Sequence, residues 1–196
     1  MRIVKLIIAA LAFAVITGCA HPIVISPDVS NLERNKRAQP IAKNVAYYIS
    51  PEARAKAVET PGGGGDKVSY FPYKDIETSF YKMLSNVFNN VTLLNSPNDV
   101  AAINKQAIKY VITPDITTDS SSPSPFTWPP TKFTMNLTCK ISDASGKLVS
   151  SIVVVGEGNA EFDEFKSDFA LSAKRASLDA LTKMQARLLE APELKK

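Results

Sequence analysis

Apolar positions fall into three patterns along this chain. Leu6–Ile16 is an unbroken apolar run of eleven residues, shorter than the ~20 that cross a bilayer as a helix. Later, apolar and polar residues alternate, as in half-buried strands. Asn44–Ser50 carries Val45, Tyr47 and Ile49, Lys132–Ser142 carries Phe133, Met135, Leu137, Cys139 and Ile141, and Leu148–Gly156 completes a hairpin through Asp143-Ala144-Ser145-Gly146-Lys147. Val91–Leu94 and Ile108–Thr117 are further strands, and Pro114 inside the second predicts an edge or a bulge. The third pattern is helical. Ile76, Phe80, Met83, Leu84, Val87 and Phe88 form one stripe over Pro72–Asn89. Leu178, Leu181, Met184 and Leu188 form another over Ser167–Leu189, where Ala173, Ala176 and Ala180 allow close approach to a sheet. Ser96 as cap and Pro97 in the first turn predict a short helix over Pro97–Gln106.

Between these elements, Glu52–Asp66 holds Pro61 and Gly62–Gly65 and reads as a mobile loop, while proline-rich Ser120–Pro130 excludes regular structure. The element order predicts an α+β fold: one mixed four- to five-stranded sheet with two long helices packed on one face. Residues 44–190 form that single domain. Residues 19–43 read as a flexible tether, since Pro22, Pro27 and Pro40 interrupt a polar stretch with no sustained period. Residues 191–196 read as a disordered tail.

The first apolar run gains meaning from its flanks. Arg2 and Lys5 precede it, and Ile16-Thr17-Gly18-Cys19 follows. A basic start, a short apolar core and small residues before a cut are those of a secretory signal. The last four residues resemble the lipobox of bacterial lipoproteins. The resemblance implies diacylglycerol on the Cys19 thiol, cleavage of residues 1–18, and acylation of the new amine, with no other cofactor. Ala20 follows the cysteine, where aspartate in enteric bacteria retains a lipoprotein in the inner membrane. Its absence implies an outer-membrane, periplasm-facing lipoprotein. The order of elements over about residues 44–190 also resembles small envelope-biogenesis lipoproteins with a βαβ-type sandwich. No residue motif accompanies that likeness, which implies a fold and nothing about residues.

Charge and cysteine use then narrow the function. The formal charge of +4 includes Arg2 and Lys5, so the processed chain carries 21 basic and 19 acidic residues. Basic residues form no stripe, which argues against a nucleic-acid partner. With Cys19 joined to lipid, Cys139 is the sole thiol and sits on the apolar side of a strand. The single histidine, His21, lies in the expected tether, where no catalytic triad could hold it. Histidine or cysteine metal sites lack the numbers. Pro61–Val68 lacks the spacing of a phosphate loop. Glu161, Asp163, Glu164 and Asp168 read as charge at a helix start.

No catalytic set emerges, so the chain is expected not to be an enzyme. Phe126 and Trp128, set among prolines, are the candidate partner-binding residues, because aromatics on a stiff backbone lose little entropy on docking. The alternative is that both rings fold back over the core. The leading expectation is a lipid-anchored envelope protein that binds a protein partner as assembly factor, activator or accessory subunit. The other reading is a binding module for a lipid, glycan or peptidoglycan fragment.

Overall fold

The structure, a computed structural model, describes residues 20–34 and 39–196; the expected signal segment and the lipid-bearing Cys19 lie outside the described residues. Five strands build the main sheet: β2 (Ile41–Tyr47), β5 (Phe88–Leu93), β6 (Tyr110–Ser121), β7 (Lys132–Asp143) and β8 (Leu148–Asn159), in the order β5-β2-β6-β7-β8. β2 runs parallel to β5 and β6, whereas β6, β7 and β8 are antiparallel, so the sheet is mixed. A second sheet, β1 (Ala20–Pro22), β4 (Lys67–Tyr70) and β3 (Val58–Pro61), has the order β1-β4-β3.

The helical stripes bury largely as expected, except that Phe88, expected in the first helix, opens β5 and Leu178 is only partly buried. In α2 (Pro72–Val87) Ile76, Phe80, Met83, Leu84 and Val87 are buried. In α5 (Leu171–Glu190) the buried set includes Ala173, Ala176, Ala180, Leu181, Met184 and Leu188. Both cover the face of the main sheet that receives Phe133, Met135, Leu137, Cys139 and Ile141. The small residues on α5 meet glycines on β8. A Cβ on Gly158 would stand 3.0 Å from Arg175 Cβ and would run into the Ser172 carbonyl. Among the described residues the opposite face of the sheet is covered only in part, by α3 (Val100–Lys105), whose Ile103 packs with Ala46, Leu94, Ile108 and Val111.

Pro114 lies inside β6, yet the ladder with β2 ends at Tyr47 opposite Ile112. On that side Pro114 has no strand to bond, so its missing amide costs nothing, as at an edge. Residues 51–66 are not one loop. Ser50 Oγ accepts the Ala53 amide and starts α1 (Pro51–Ala55), and β3 follows. The short helix begins three residues later than Pro97, because the Asp99 carboxylate, rather than Ser96, accepts the Ala102 amide.

The described part of the expected tether, residues 20–34 and 39–43, is folded. Ile25 and Leu32 are fully buried, and Ile41 opens β2. The Ile25 amide donates to Asp75 Oδ2 at 3.2 Å. Asn86 Nδ2 donates to the Leu32 carbonyl and to Gln185 Oε1, while Gln185 Nε2 donates to the Glu33 carbonyl. Two helical amides therefore strap an irregular segment across α2 and α5. Residues 191–196 are ordered too. Leu194 is buried, Glu193 Oε1 accepts Ser150 Oγ at 2.6 Å, and Tyr110 donates its hydroxyl to the Glu193 carbonyl.

Candidate functional site

Strand register brings several segments to one end of the molecule. Ala20 pairs with Lys67, which puts the start of β1 beside the Gly62–Asp66 turn between β3 and β4. Ser121 pairs with Lys132, and Lys132 with Asn159, so the 122–131 loop and the segment after β8 share that end. Backbone bonds join them. Gly63 N donates to Trp128 O and Gly64 N to Ser124 O, both at 2.9 Å. The glycine turn, expected to be mobile, is stapled to the proline-rich loop. Gly63 must be glycine here: a Cβ would lie 2.9 Å from the Ser124 carbonyl and overlap that of Thr127.

The two loop aromatics divide their roles. Trp128 is partly buried and packs against the core. Its ring stacks on His21 at 4.1 Å and 15°, and stands 4.9 Å from the Phe169 ring. His21 Nε2 also lies 3.4 Å from Asp66 Oδ2, so one imidazole links β1, the glycine turn and the loop. Phe126 is 93% exposed, with its amide bonded to Ser124 Oγ. Phe162 on α4 (Phe162–Phe165) and Phe169 are exposed at the same end. The reading that both rings fold back holds for Trp128 alone.

The acidic cluster is occupied in the way its sequence position suggests. Glu161 and Glu164 form a capping box at α4. Arg175 donates to both Glu164 oxygens, at 2.8 and 3.1 Å, which holds the Glu164 carboxyl down at about 2. Asp163 pairs with Lys166, and Asp168 with Lys174. Among the described residues no group of three or more His, Cys, Asp or Glu side chains could hold a metal ion. Cys139 is completely buried, and burial pushes its thiol well above the ordinary range. Among the described residues no helix is long and apolar enough to cross a membrane.

A polar depression of about 420 Å³ lies at the opposite edge, lined by Asn44, Tyr81, Ser85, Asn90, Thr92 and Gln106 among others. Asn90 donates to Asn44, and Thr92 to Gln106. Sequence reading passed over these residues, since scattered carboxamides carry no spacing signal. Phe162 and Phe169 were missed for the same reason, and His21 was expected in a flexible tether: only the strand register brings the three to the loop.

No protein-family model matches the chain, and no curated protein matches it. Solved structures that resemble it at low identity include three proteins. A Xanthomonas campestris protein of family DUF330 is 12% identical, over 87% of this chain and 90% of that one, with a TM-score of 0.49. A PelC dodecamer from Paraburkholderia phytofirmans is 14% identical, over 73% and 91%, with a TM-score of 0.39. A candidate lipoprotein from Caulobacter crescentus is 16% identical, over 49% and 77%, with a TM-score of 0.29.

Proposed function

We propose that this protein is a lipid-anchored, periplasm-facing lipoprotein of the outer membrane that acts without catalysis. It holds a protein partner, as an assembly factor, activator or accessory subunit. The observation that carries this reading is the junction of anchor and fold. Ala20, the residue after Cys19, is already in a strand. Lipid on Cys19 would then hold the domain at the membrane with almost no free spacer, in one orientation. Such a part suits presentation of a surface rather than capture at a distance.

The surface we assign to the partner is the uncovered side of β7 and β8. Val149, Val153 and Val155 are exposed there in one row, beside Thr134, Asn136 and Thr138. Most of that row lies beyond the reach of α3, and β-branched residues facing solvent suit burial against a partner. The test is capture from crosslinked cells. Val153→Asp/Val155→Asp should lose partners that the wild type retains. Loss in Phe126→Ala/Trp128→Ala with retention in the valine variant would return the contact to the loop aromatics.

A second reading, glycan binding, is favoured by the Asn44, Asn90, Thr92 and Gln106 depression. Carboxamides both donate and accept toward hydroxyls, and the exposed Tyr81 ring stands at its rim. Peptidoglycan fragments shifting the Tyr81 fluorescence or nuclear resonance would support it, and an unchanged spectrum at saturating glycan would remove it.

A further inference from the structure

The end of the molecule where the chain enters from Cys19 also carries the most exposed aromatic ring among the described residues. We propose that this end is a membrane foot: Phe126 and Phe162 enter the lipid interface beside the acyl chains on Cys19. The proposal rests on the lipidation of Cys19 argued above.

Three observations carry it. The first is proximity. Cys19 is one peptide unit, ~3.8 Å between Cα atoms, from Ala20, and His21 stacks on Trp128 at 4.1 Å. The headgroup layer is about 5–8 Å deep on each side of a bilayer. A loop in ring contact with the second residue after the lipid would therefore lie close to the headgroup layer. The second is presentation. Phe126 is 93% exposed although its loop is fixed on both sides, by Gly64 N to Ser124 O and Gly63 N to Trp128 O. A ring held outward at the centre of a stapled loop loses little freedom when it is covered.

The third is charge. Three acids at this end face cations, Asp163 against Lys166, Glu164 against Arg175, and Asp168 against Lys174, while Asp66 lies against the His21 imidazole and Glu161 caps α4. Most of the acidic charge beside the rings is thereby paired, and Phe162, 60% exposed, lies between the helix-capping Glu161 and Asp163, which pairs with Lys166. Lipid rather than protein is the occupant because the acyl chains would be tied one residue before Ala20, at the end of the molecule that carries these rings. A protein partner would have to displace lipid from beneath the anchor.

The experiment uses full-length protein purified from membranes and reconstituted into vesicles of phosphatidylethanolamine and phosphatidylglycerol. The vesicles carry a phospholipid with a diazirine on its acyl chain. After irradiation and digestion, peptides holding Phe126 and Phe162 should carry about ten-fold more lipid label than the Val149–Val155 peptide, as burial of a phenylalanine side chain in apolar surroundings implies. Phe126→Ser should lower label on the Phe162 peptide as well, because the foot then sits less deeply. Omitting phosphatidylglycerol should leave the pattern unchanged. Intact mass separates the two readings under test. Acylated protein with Phe126 at the background of the sheet peptide overturns the foot and leaves the anchor standing. Protein without acyl chains overturns both. A photoreactive residue at position 126 that captures a protein rather than phospholipid in intact cells also overturns the foot.

Discussion

A methyl group on Gly156 would stand 2.6 Å from the Ala180 Cβ and 2.5 Å from the Ala180 amide nitrogen. Helix α5 thus rests on β8 almost backbone to backbone, with Gly156 and Gly158 facing Ala176, Ala180 and Ser172. Glycine inside a strand is normally a cost, so strand propensity alone predicts that Gly156→Ala stabilises. Packing predicts the reverse, because backbone rather than a flexible side chain would have to give way. We expect Gly156→Ala to destabilise by about 1–3 kcal/mol and to lower Tm by about 2–4 °C per kcal/mol in a chain of this size. Thermal unfolding by circular dichroism checks this, with exposed Ser151→Ala as the unchanged control.

The strap over residues 20–34 should come loose separately from the core. Gln185 bridges Asn86 and the Glu33 carbonyl, so Gln185→Ala leaves buried polar groups unpaired. The cost is about 1–3 kcal/mol, borne by the strap rather than the sheet. Limited proteolysis should cut the variant between Pro27 and Pro40 faster than the wild type, while amide exchange in β7 stays the same. Equal acceleration in β7 would mean that the strap and the sheet open together.

Why the strap escapes a sequence reading follows from how it is held. Ile23 and Ile25 share strand spacing, which suggests a short edge strand over Ile23–Ile25, but β1 ends at Pro22, Leu32 follows no period, and their supports, Asp75, Asn86 and Gln185, lie 50 or more residues away. By contrast, β7 is legible residue by residue, since one side is packed by helices and the other is open. The stripes of α2 and α5 are legible because each buries one face. Gly156-x-Gly158 opposite the α5 alanines is a signal of close approach that only the pair of elements reveals. At the candidate site, Phe126 and Trp128 stand out as loop aromatics. That one ring is spent on His21 and Phe169 and the other stays exposed depends on register between β1, β4 and the β6–β7 loop.

Acid stability should depend on Glu77. Arg54 donates to both its oxygens, at 2.7 and 2.8 Å, and this holds the Glu77 carboxyl below its ordinary range. A lowered folded pKa contributes stability above the unfolded value of about 4.3 and loses it as pH falls through the folded value. The difference in unfolding free energy between wild type and Glu77→Gln should thus be constant near neutrality and shrink below about pH 4. Asp75 has the opposite sign. Burial raises its pKa, so its contribution is present at low pH and is lost as pH rises through the folded value. Comparing wild type with the single variant cancels Asp75. On the alkaline side, burial and Glu77 push the Tyr47 hydroxyl up to about 12, and stability should fall as pH approaches that value. Urea titrations at stepped pH measure both limbs. A constant gap down to pH 3 would remove Glu77 as the source.

Thiol chemistry tests burial and anchoring in one measurement. Cys139 is fully buried and its thiol is held well above the ordinary range, so little thiolate forms and no reagent reaches it. In native protein we expect its modification by an aromatic disulfide reagent to follow the rate of opening. Raising reagent concentration should then cease to accelerate it. The chain has two cysteines, and thioether formation at Cys19 would remove one of them from titration. Denatured mature protein should therefore release one equivalent of chromophore, and unacylated precursor two. Two equivalents from the mature form would sink lipidation at Cys19, whereas fast labelling of native protein would sink only the burial of Cys139.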